Sequence, residues 1–389
     1  MLYLVPEIAL TTQLTDRLRR AFGARLGVYH SRFSDAERVE IWNNLLQGDG
    51  YQVVIGARSA LFLPFEKLGL VIVDEVHDTS YKQTASASRH QARNGAVVLA
   101  SLHGAKVILG SATPAIESYS NALTGKFGLV ELPTRYADIE KPRIITVDLT
   151  EAYRKKQMTG HLSDTLIEQM RETLAAGEQV ILFQNRRGFA PYVSCKACGW
   201  VPRCKHCDVS LTYHKAFNKL TCHYCGYTET LSDLCPDCHQ PTIETHGFGT
   251  EQIEKEVAEL FPTQRVARMD LDTTRSKQSF ARIIEAFESR SVDILVGTQM
   301  VTKGLDFEHA GLVGILNADN LLYYPDFRAH ERAFQLLLQV SGRAGRQHKQ
   351  GVVVLQTSSP EHPVIQQVLA GDYRAFFDKE MTERELFNY

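Results

Sequence analysis

The stretch Leu70-Val71-Ile72-Val73-Asp74-Glu75-Val76-His77 carries four apolar residues straight into two carboxylates and a histidine. At the carboxyl end of a parallel strand, such side chains project into the crevice where ligands bind. There Asp74 could hold a Mg²⁺-bound water, and Glu75 could polarise the water that attacks a phosphoryl group. The plainer reading is a strand that ends on an Asp-Glu pair capping the next turn. Gly110-Ser111-Ala112-Thr113-Pro114 offers two hydroxyls after the next apolar run, able to bond those carboxylates or simply to cap a helix. Gln339-Val340-Ser341-Gly342-Arg343-Ala344-Gly345-Arg346 sets two arginines three apart at a helix end. Such guanidinium groups can meet a γ-phosphate, or else complement the helix C-terminus. The usual phosphate grip, G-x-x-x-x-G-K-[ST], occurs nowhere; Thr124-Gly125-Lys126-Phe127 lacks both the first glycine and the hydroxyl.

All eight cysteines lie between Cys195 and Cys238, spaced C-x₂-C-x₅-C-x₂-C-x₁₄-C-x₂-C-x₉-C-x₂-C. Each C-x-x-C knuckle offers two thiolates, so eight ligands make two tetrahedral Cys₄ zinc sites. The inner pairs, Cys204/Cys207 and Cys222/Cys225, stand near zinc-ribbon spacing, which leaves Cys195/Cys198 with Cys235/Cys238. An iron–sulfur cluster is the main chemical competitor, and a thiol redox protein a weaker one. Between Gln184 and Cys225, Arg186, Arg187, Lys196, Arg203, Lys205, Lys215 and Lys219 stand against the single acid Asp208, among Tyr192, Trp200, Tyr213 and Tyr224. Cations with aromatics suit single-stranded DNA, although cations beside thiolates also serve to neutralise them.

These groups need elements to hold them. Short β-branched runs at Tyr3–Pro6, Gln52–Ile55, Leu70–Asp74, Lys106–Leu109, Val180–Phe183, Val292–Val296, Leu312–Leu316 and Val352–Leu355 predict strands. Amphipathic stretches at Thr12–Phe22, Asp35–Leu46, Gln91–Leu102, Ser163–Ala175, Glu251–Leu260, Lys277–Ser289 and Ala329–Val340 predict helices between them. Near-continuous apolar strands alternating with helices indicate an α/β protein with parallel sheets covered on both faces. The expected division is lobe 1 over residues 1–133, a charged linker over 134–160, and lobe 2 over 161–389 with the Cys-rich insertion at 195–238. With 389 residues and 44% apolar composition the chain can bury sizeable cores. Basic and acidic residues nearly balance, 43 against 45, so a polyanion must be met by local patches. No apolar run reaches the roughly 18 residues of a membrane span, and the start Met1-Leu2-Tyr3-Leu4 lacks the basic region of a signal peptide.

In chain order, Leu4-Val5-Pro6-Glu7-Ile8-Ala9-Leu10-Thr11, Gly56-Ala57-Arg58-Ser59-Ala60-Leu61-Phe62, D-E-V-H, G-S-A-T-P, Asn185-Arg186-Arg187-Gly188, Gly297-Thr298-Gln299-Met300-Val301-Thr302-Lys303-Gly304 and S-G-R-A-G-R resemble the motifs of superfamily 2 helicases. The cysteines following N-R-R-G, together with Tyr324-Pro325-Asp326-Phe327-Arg328-Ala329-His330-Glu331-Arg332, narrow the likeness to the primosomal protein N′ (PriA) family of replication-restart helicases. The resemblance spans essentially the whole chain. It implies two RecA-like lobes and ATP-dependent 3′→5′ unwinding of DNA, used to remodel stalled forks and load the replicative helicase. In that scheme Asp74 binds Mg²⁺ with ATP, Glu75 activates water, and His77, Ser111 and Thr113 link the sites. Gly304, Asp306, Gln339 and Gly342 form the second lobe's ATP wall, and Arg343 and Arg346 meet the γ-phosphate. DNA contacts fall on Pro6, Thr11, Arg58, Ser59, Tyr81, Lys82, Arg187, Thr298 and Lys303. The nested zinc pairing is implied as well. So are single-stranded and forked DNA, primosome proteins, single-stranded DNA-binding protein and a helicase loader as partners, with a cytoplasmic location at forks and no membrane.

Two departures stand out. Val76 replaces the family's second glutamate, and "TASASRHQAR" replaces further aromatics and prolines in the loop after the carboxylates, which bears on coupling rather than hydrolysis. The family's phosphate loop lies just upstream of the L-V-P-E segment, so the expectation is a central piece of a longer protein. Without that loop's strand, lobe 1 is expected to show unpaired edges and lost apolar cover, and ATP hydrolysis is expected to be weak or absent. The competing reading is a non-catalytic, zinc-bearing platform for DNA and proteins.

Overall fold

The structure, a computed structural model, describes residues 1–6, 12–30, 33–48, 50–83, 89–132, 134, 140–185, 193–207, 209–214, 218–222, 225–245, 249–270, 273–274, 277–302, 307–345 and 350–387. The chain forms two compact units, Met1–Val130 and Glu131–Tyr389. Among the described residues no helix is long and apolar enough to cross a membrane.

In the first unit β1 (Leu2–Leu4), α1 (Thr12–Phe22), β2 (Leu26–Tyr29), α2 (Asp35–Leu46), β3 (Val53–Gly56), β4 (Leu70–Val73), α3 (Ala92–Leu102), β5 (Lys106–Leu109) and α4 (Ile116–Leu123) alternate. The strands form one parallel sheet in the order β2-β3-β1-β4-β5. Leu2, Leu4, Val71 and Val73 are fully buried, so the strand bearing the carboxylates lies inside the sheet. α2 starts where Ser34 accepts from the Glu37 amide while the Glu37 carboxylate accepts from the Ser34 amide, a reciprocal cap. α3 buries Ala92, Ala96 and Ala100, one alanine per turn, which brings it close to the sheet.

β5 stands at the sheet edge. Ile108 is 52% exposed, and Val98 and Leu102 on α3 are 59% and 80% exposed. Among the described residues nothing pairs with the outer side of β5. An open edge beside bare apolar side chains lowers local stability. The amides of β5 and α3 are therefore expected to exchange hydrogen faster than those of the second unit's central strands; equal protection in both units would refute this.

The second unit runs β6 (Arg143–Asp148), α5 (Leu149–Arg154), β7 (Met158–Thr159), β8 (Leu162–Ser163), α6 (Asp164–Ala175), β9 (Gln179–Phe183), β10 (Val193–Cys195), β11 (Thr212–His214), β12 (Lys219–Thr221), β13 (Thr228–Thr230), β14 (Ile243–Thr245), α7 (Thr250–Leu260), β15 (Val266–Met269), α8 (Lys277–Glu288), β16 (Ile294–Gly297), β17 (Ala310–Ile315), α9 (Asp319–Leu322), α10 (Ala329–Ser341), β18 (Val352–Thr357), α11 (Pro363–Ala370) and α12 (Tyr373–Phe387). Its six-stranded sheet is parallel throughout, ordered β15-β16-β9-β17-β18-β6. All five residues of β9 are buried. Gln356 is buried without penalty: its amide donates to the Leu316 and His161 carbonyls, and its oxygen accepts from the Ser163 amide. The stretch 134–160, expected to be a linker, is corrected here. Residues 143–148 form β6, paired along its length with β18, and α5 follows, capped by Asp148.

Candidate functional site

Asp74 and Glu75 leave β4 at its carboxyl end, as the apolar run predicts. Each carboxylate oxygen of Asp74 is held: Oδ1 accepts from the Glu75 amide at 2.9 Å and Oδ2 from the Tyr3 hydroxyl at 3.0 Å. Glu75 sits at φ 47°, a left-handed conformation that costs a non-glycine residue free energy and persists where surroundings over-determine it. The turn is anchored by the Val76 amide donating to Gly110 O. His77 Nδ1 lies 2.8 Å from Ser111 Oγ and 3.6 Å from Glu75 Oε2, and Ser111 Oγ also accepts from the Thr113 amide. The structure thus brings Asp74, Glu75, His77, Ser111 and Thr113 together at the ends of two adjacent strands.

The loop after the carboxylates is tied back onto this cluster. Arg58 Nη1 donates to Ser80 O at 3.0 Å, Ser80 Oγ donates to Pro6 O, and Asp78 caps the Ser80 amide. Tyr81, expected beside DNA, is instead fully buried, its hydroxyl 2.6 Å from Asp74 O and 3.0 Å from Leu4 O. Burial, then the Asp74 charge, hold its phenol well above the ordinary tyrosine range. That ring is a post supporting the carboxylate strand, with no face left for a base. Lys82 is exposed, and Arg58, Ser59 and Pro6 are half-buried. Tyr3 escaped the sequence reading; the signal was one hydroxyl in an otherwise aliphatic strand, which needs a partner.

In the second unit, α10 ends at Ser341, and Gly342 and Arg343 continue the turn; the Gly345 amide donates to Ala310 O, tying it to β17. Gln339, Gly342 and Arg343 are half-buried. Thr298, expected on DNA, is only 4% exposed. It follows Gly297, where a Cβ would come 2.1 Å from Val301 Cγ1, so only glycine permits this turn. Thr11, Arg187, Lys303, Gly304, Asp306 and Arg346 lie outside the described residues.

The cysteines assemble as two sets, Cys195, Cys198, Cys235 and Cys238, and Cys204, Cys207, Cys222 and Cys225, the nested pairing. Sulfur–sulfur distances are 3.5 Å for Cys195–Cys238, 3.7 Å for Cys198–Cys235 and 3.5 Å for Cys204–Cys225. Four sulfurs about 2.3 Å from one ion stand about 3.8 Å apart, so both sets fit tetrahedral zinc. The insertion leaves and re-enters the unit through the antiparallel pair β10–β14, and β11–β12–β13 form its small sheet. Lys196 over the Tyr153 ring and Arg203 over the Tyr323 ring join it to the body of the unit.

Comparison with known proteins fits this geometry. Residues 1–122 match the DEAD/DEAH box helicase family, 241–348 the helicase conserved C-terminal domain, and 204–229 the PriA DNA helicase Cys-rich region domain. Replication restart protein PriA of Bacillus subtilis is 44% identical over 99% of this chain and 48% of its own length. Its Haemophilus influenzae counterpart is 43% identical over 97% of this chain and 51% of its own. Among solved structures, RecG bound to a three-way DNA junction (TM-score 0.51, 15% identity, 97% of this chain, 39% of that one) and the DUF1998 helicase MrfA bound to DNA (0.53, 15%, 97% and 44%) share the RecA-like fold. The chain spans about half the length of the curated relatives it matches. On the helicase motifs, the Cys-rich region and near-complete alignment taken together, this chain belongs to the PriA family of replication restart helicases.

Proposed function

We propose that this chain is the core of an ATP-dependent 3′→5′ DNA helicase that remodels stalled forks for replicative helicase loading. The observation that carries the reading is the cluster at the ends of β4 and β5, where His77 Nδ1 lies between Ser111 Oγ and the Glu75 carboxylate. Mg²⁺ bound with ATP supplies charge neutralisation of the phosphates. Asp74, its carboxylate held by two donors, would hold that ion. Glu75 takes the proton of the attacking water, and His77, bonded to Ser111, relays the state of the site toward Thr113. Arg343 and Arg346 would meet the γ-phosphate, with Gly304, Asp306, Gln339 and Gly342 shaping the wall behind it. Arg58, Ser59, Lys82, Pro6, Thr11, Arg187 and Lys303 would line the path of single-stranded DNA. Primosome proteins, single-stranded DNA-binding protein and a helicase loader are the proposed partners, in the cytoplasm.

Residues 1–389 contain no G-x-x-x-x-G-K-[ST], so hydrolysis by this chain alone should be weak or absent. DNA-stimulated ATP hydrolysis is the test, with this chain measured beside a version extended upstream through the next ~40 residues of its gene, about one strand–loop–helix unit. Activity in the extended version alone supports the helicase reading. Silence in both supports the second reading, a zinc-bearing binding platform, which the missing motif favours.

A further inference from the structure

We propose that Tyr3 is a positioning residue for Asp74: its hydroxyl holds the Mg²⁺-binding carboxylate in a single orientation during ATP hydrolysis. This rests on the helicase reading above.

The placement follows from strand register. Tyr3 lies between Leu2 and Leu4, both fully buried, so its ring leaves β1 on the opposite face. On the neighbouring strand Tyr3 pairs with Ile72, and Asp74, two residues on, projects from the same face as Ile72. Two residues of strand rise about 6.6 Å, the reach of a tyrosine from Cα to its hydroxyl. The phenol therefore arrives at Asp74 Oδ2, at 3.0 Å. Oδ1 is already taken by the Glu75 amide at 2.9 Å. Aspartate χ2 is broad and roughly two-fold, so one donor alone leaves the carboxylate free to swing, whereas two donors on different oxygens fix its plane. Each oxygen keeps a second lone pair for the ion's water shell.

A tyrosine serving only to pack would be replaceable by phenylalanine at every Mg²⁺ concentration. The experiment is a Mg²⁺ titration of ATP hydrolysis in the upstream-extended chain, comparing the parent with Tyr3→Phe and Tyr3→Leu. The expected result is an apparent Mg²⁺ half-saturation raised about fivefold in both variants, the factor typical of one hydrogen bond. The rate deficit should shrink as Mg²⁺ rises. Tyr3→Leu should in addition melt earlier, since it loses the ring; Tyr3→Phe keeps it. A parent that hydrolyses ATP while Tyr3→Phe gives a superimposable Mg²⁺ curve overturns the inference and leaves the helicase reading intact. So does a loss in Tyr3→Phe that is equal at all Mg²⁺ concentrations. A parent silent at every Mg²⁺ concentration overturns both.

Discussion

Stripping zinc with a strong chelator is expected to release two equivalents per chain and to abolish hydrogen-exchange protection throughout β11, β12 and β13. The six-stranded sheet should remain protected. The reason is the size of the insertion's own core. Its buried cluster is Val193, Val209, Leu211 and Leu220 with two of the ligands themselves, Cys204 and Cys222. Four aliphatic side chains are too small a core to offset the ordering of the insertion's backbone. Small domains with so little core depend on metal, and a structural zinc contributes about 10–16 kcal/mol. Substituting Cys222→Ser should remove one equivalent of zinc and the protection of β11–β13. The outer set, fastened at β10–β14, should keep its own. Protection that survives chelation, iron in place of zinc, or fewer than about two equivalents would each contradict this account.

What was readable in the sequence was whatever announces itself locally. The run Leu70–Val73 has only one sensible place, the middle of a parallel sheet, and the carboxylates behind it follow. The cysteines are legible because ligand spacing is a local constraint. β6 was not: its residues follow Pro142 amid charge, and as an edge strand it pairs only with β18, two hundred residues on, so five of its six positions are merely half-buried and the sixth is exposed. Tyr81 misled for the opposite reason. Within D-T-S-Y-K it looks like an exposed aromatic, and only the carbonyls of Leu4 and Asp74 make its complete burial affordable. The Tyr3–Asp74 bond spans 71 residues and depends on register between two strands, which no window of sequence contains.

The C-terminal helix is held by a buried charge that sequence periodicity hides. Glu331 on α10, 4% exposed, accepts from Arg384 Nη2 of α12 at 2.8 Å and from Arg328 Nη1 at 3.0 Å. Glu380 reaches the same Arg384 nitrogen only at 3.5 Å, and the Arg384 guanidinium also lies over the Phe327 ring. Desolvating such groups is costly, and the arrangement is tolerable because each charge faces a partner. Removing one partner is therefore far worse than removing both. Arg384→Leu should destabilise the docking of α12 by about 3 kcal/mol, since Glu331 keeps Arg328 but loses its shorter contact. In hydrogen exchange that is a loss of protection on the order of 10² across residues 373–387, with β9 and β17 unchanged. Pairing it with Glu331→Leu should recover part of the loss, because the Glu331 charge goes with its partner while Glu380 keeps His330, 3.6 Å away. Protection in α12 that moves by less than about threefold in Arg384→Leu would show instead that the Phe334–Phe376 stack, with ring centroids 4.1 Å apart, holds the helix without the ion pair.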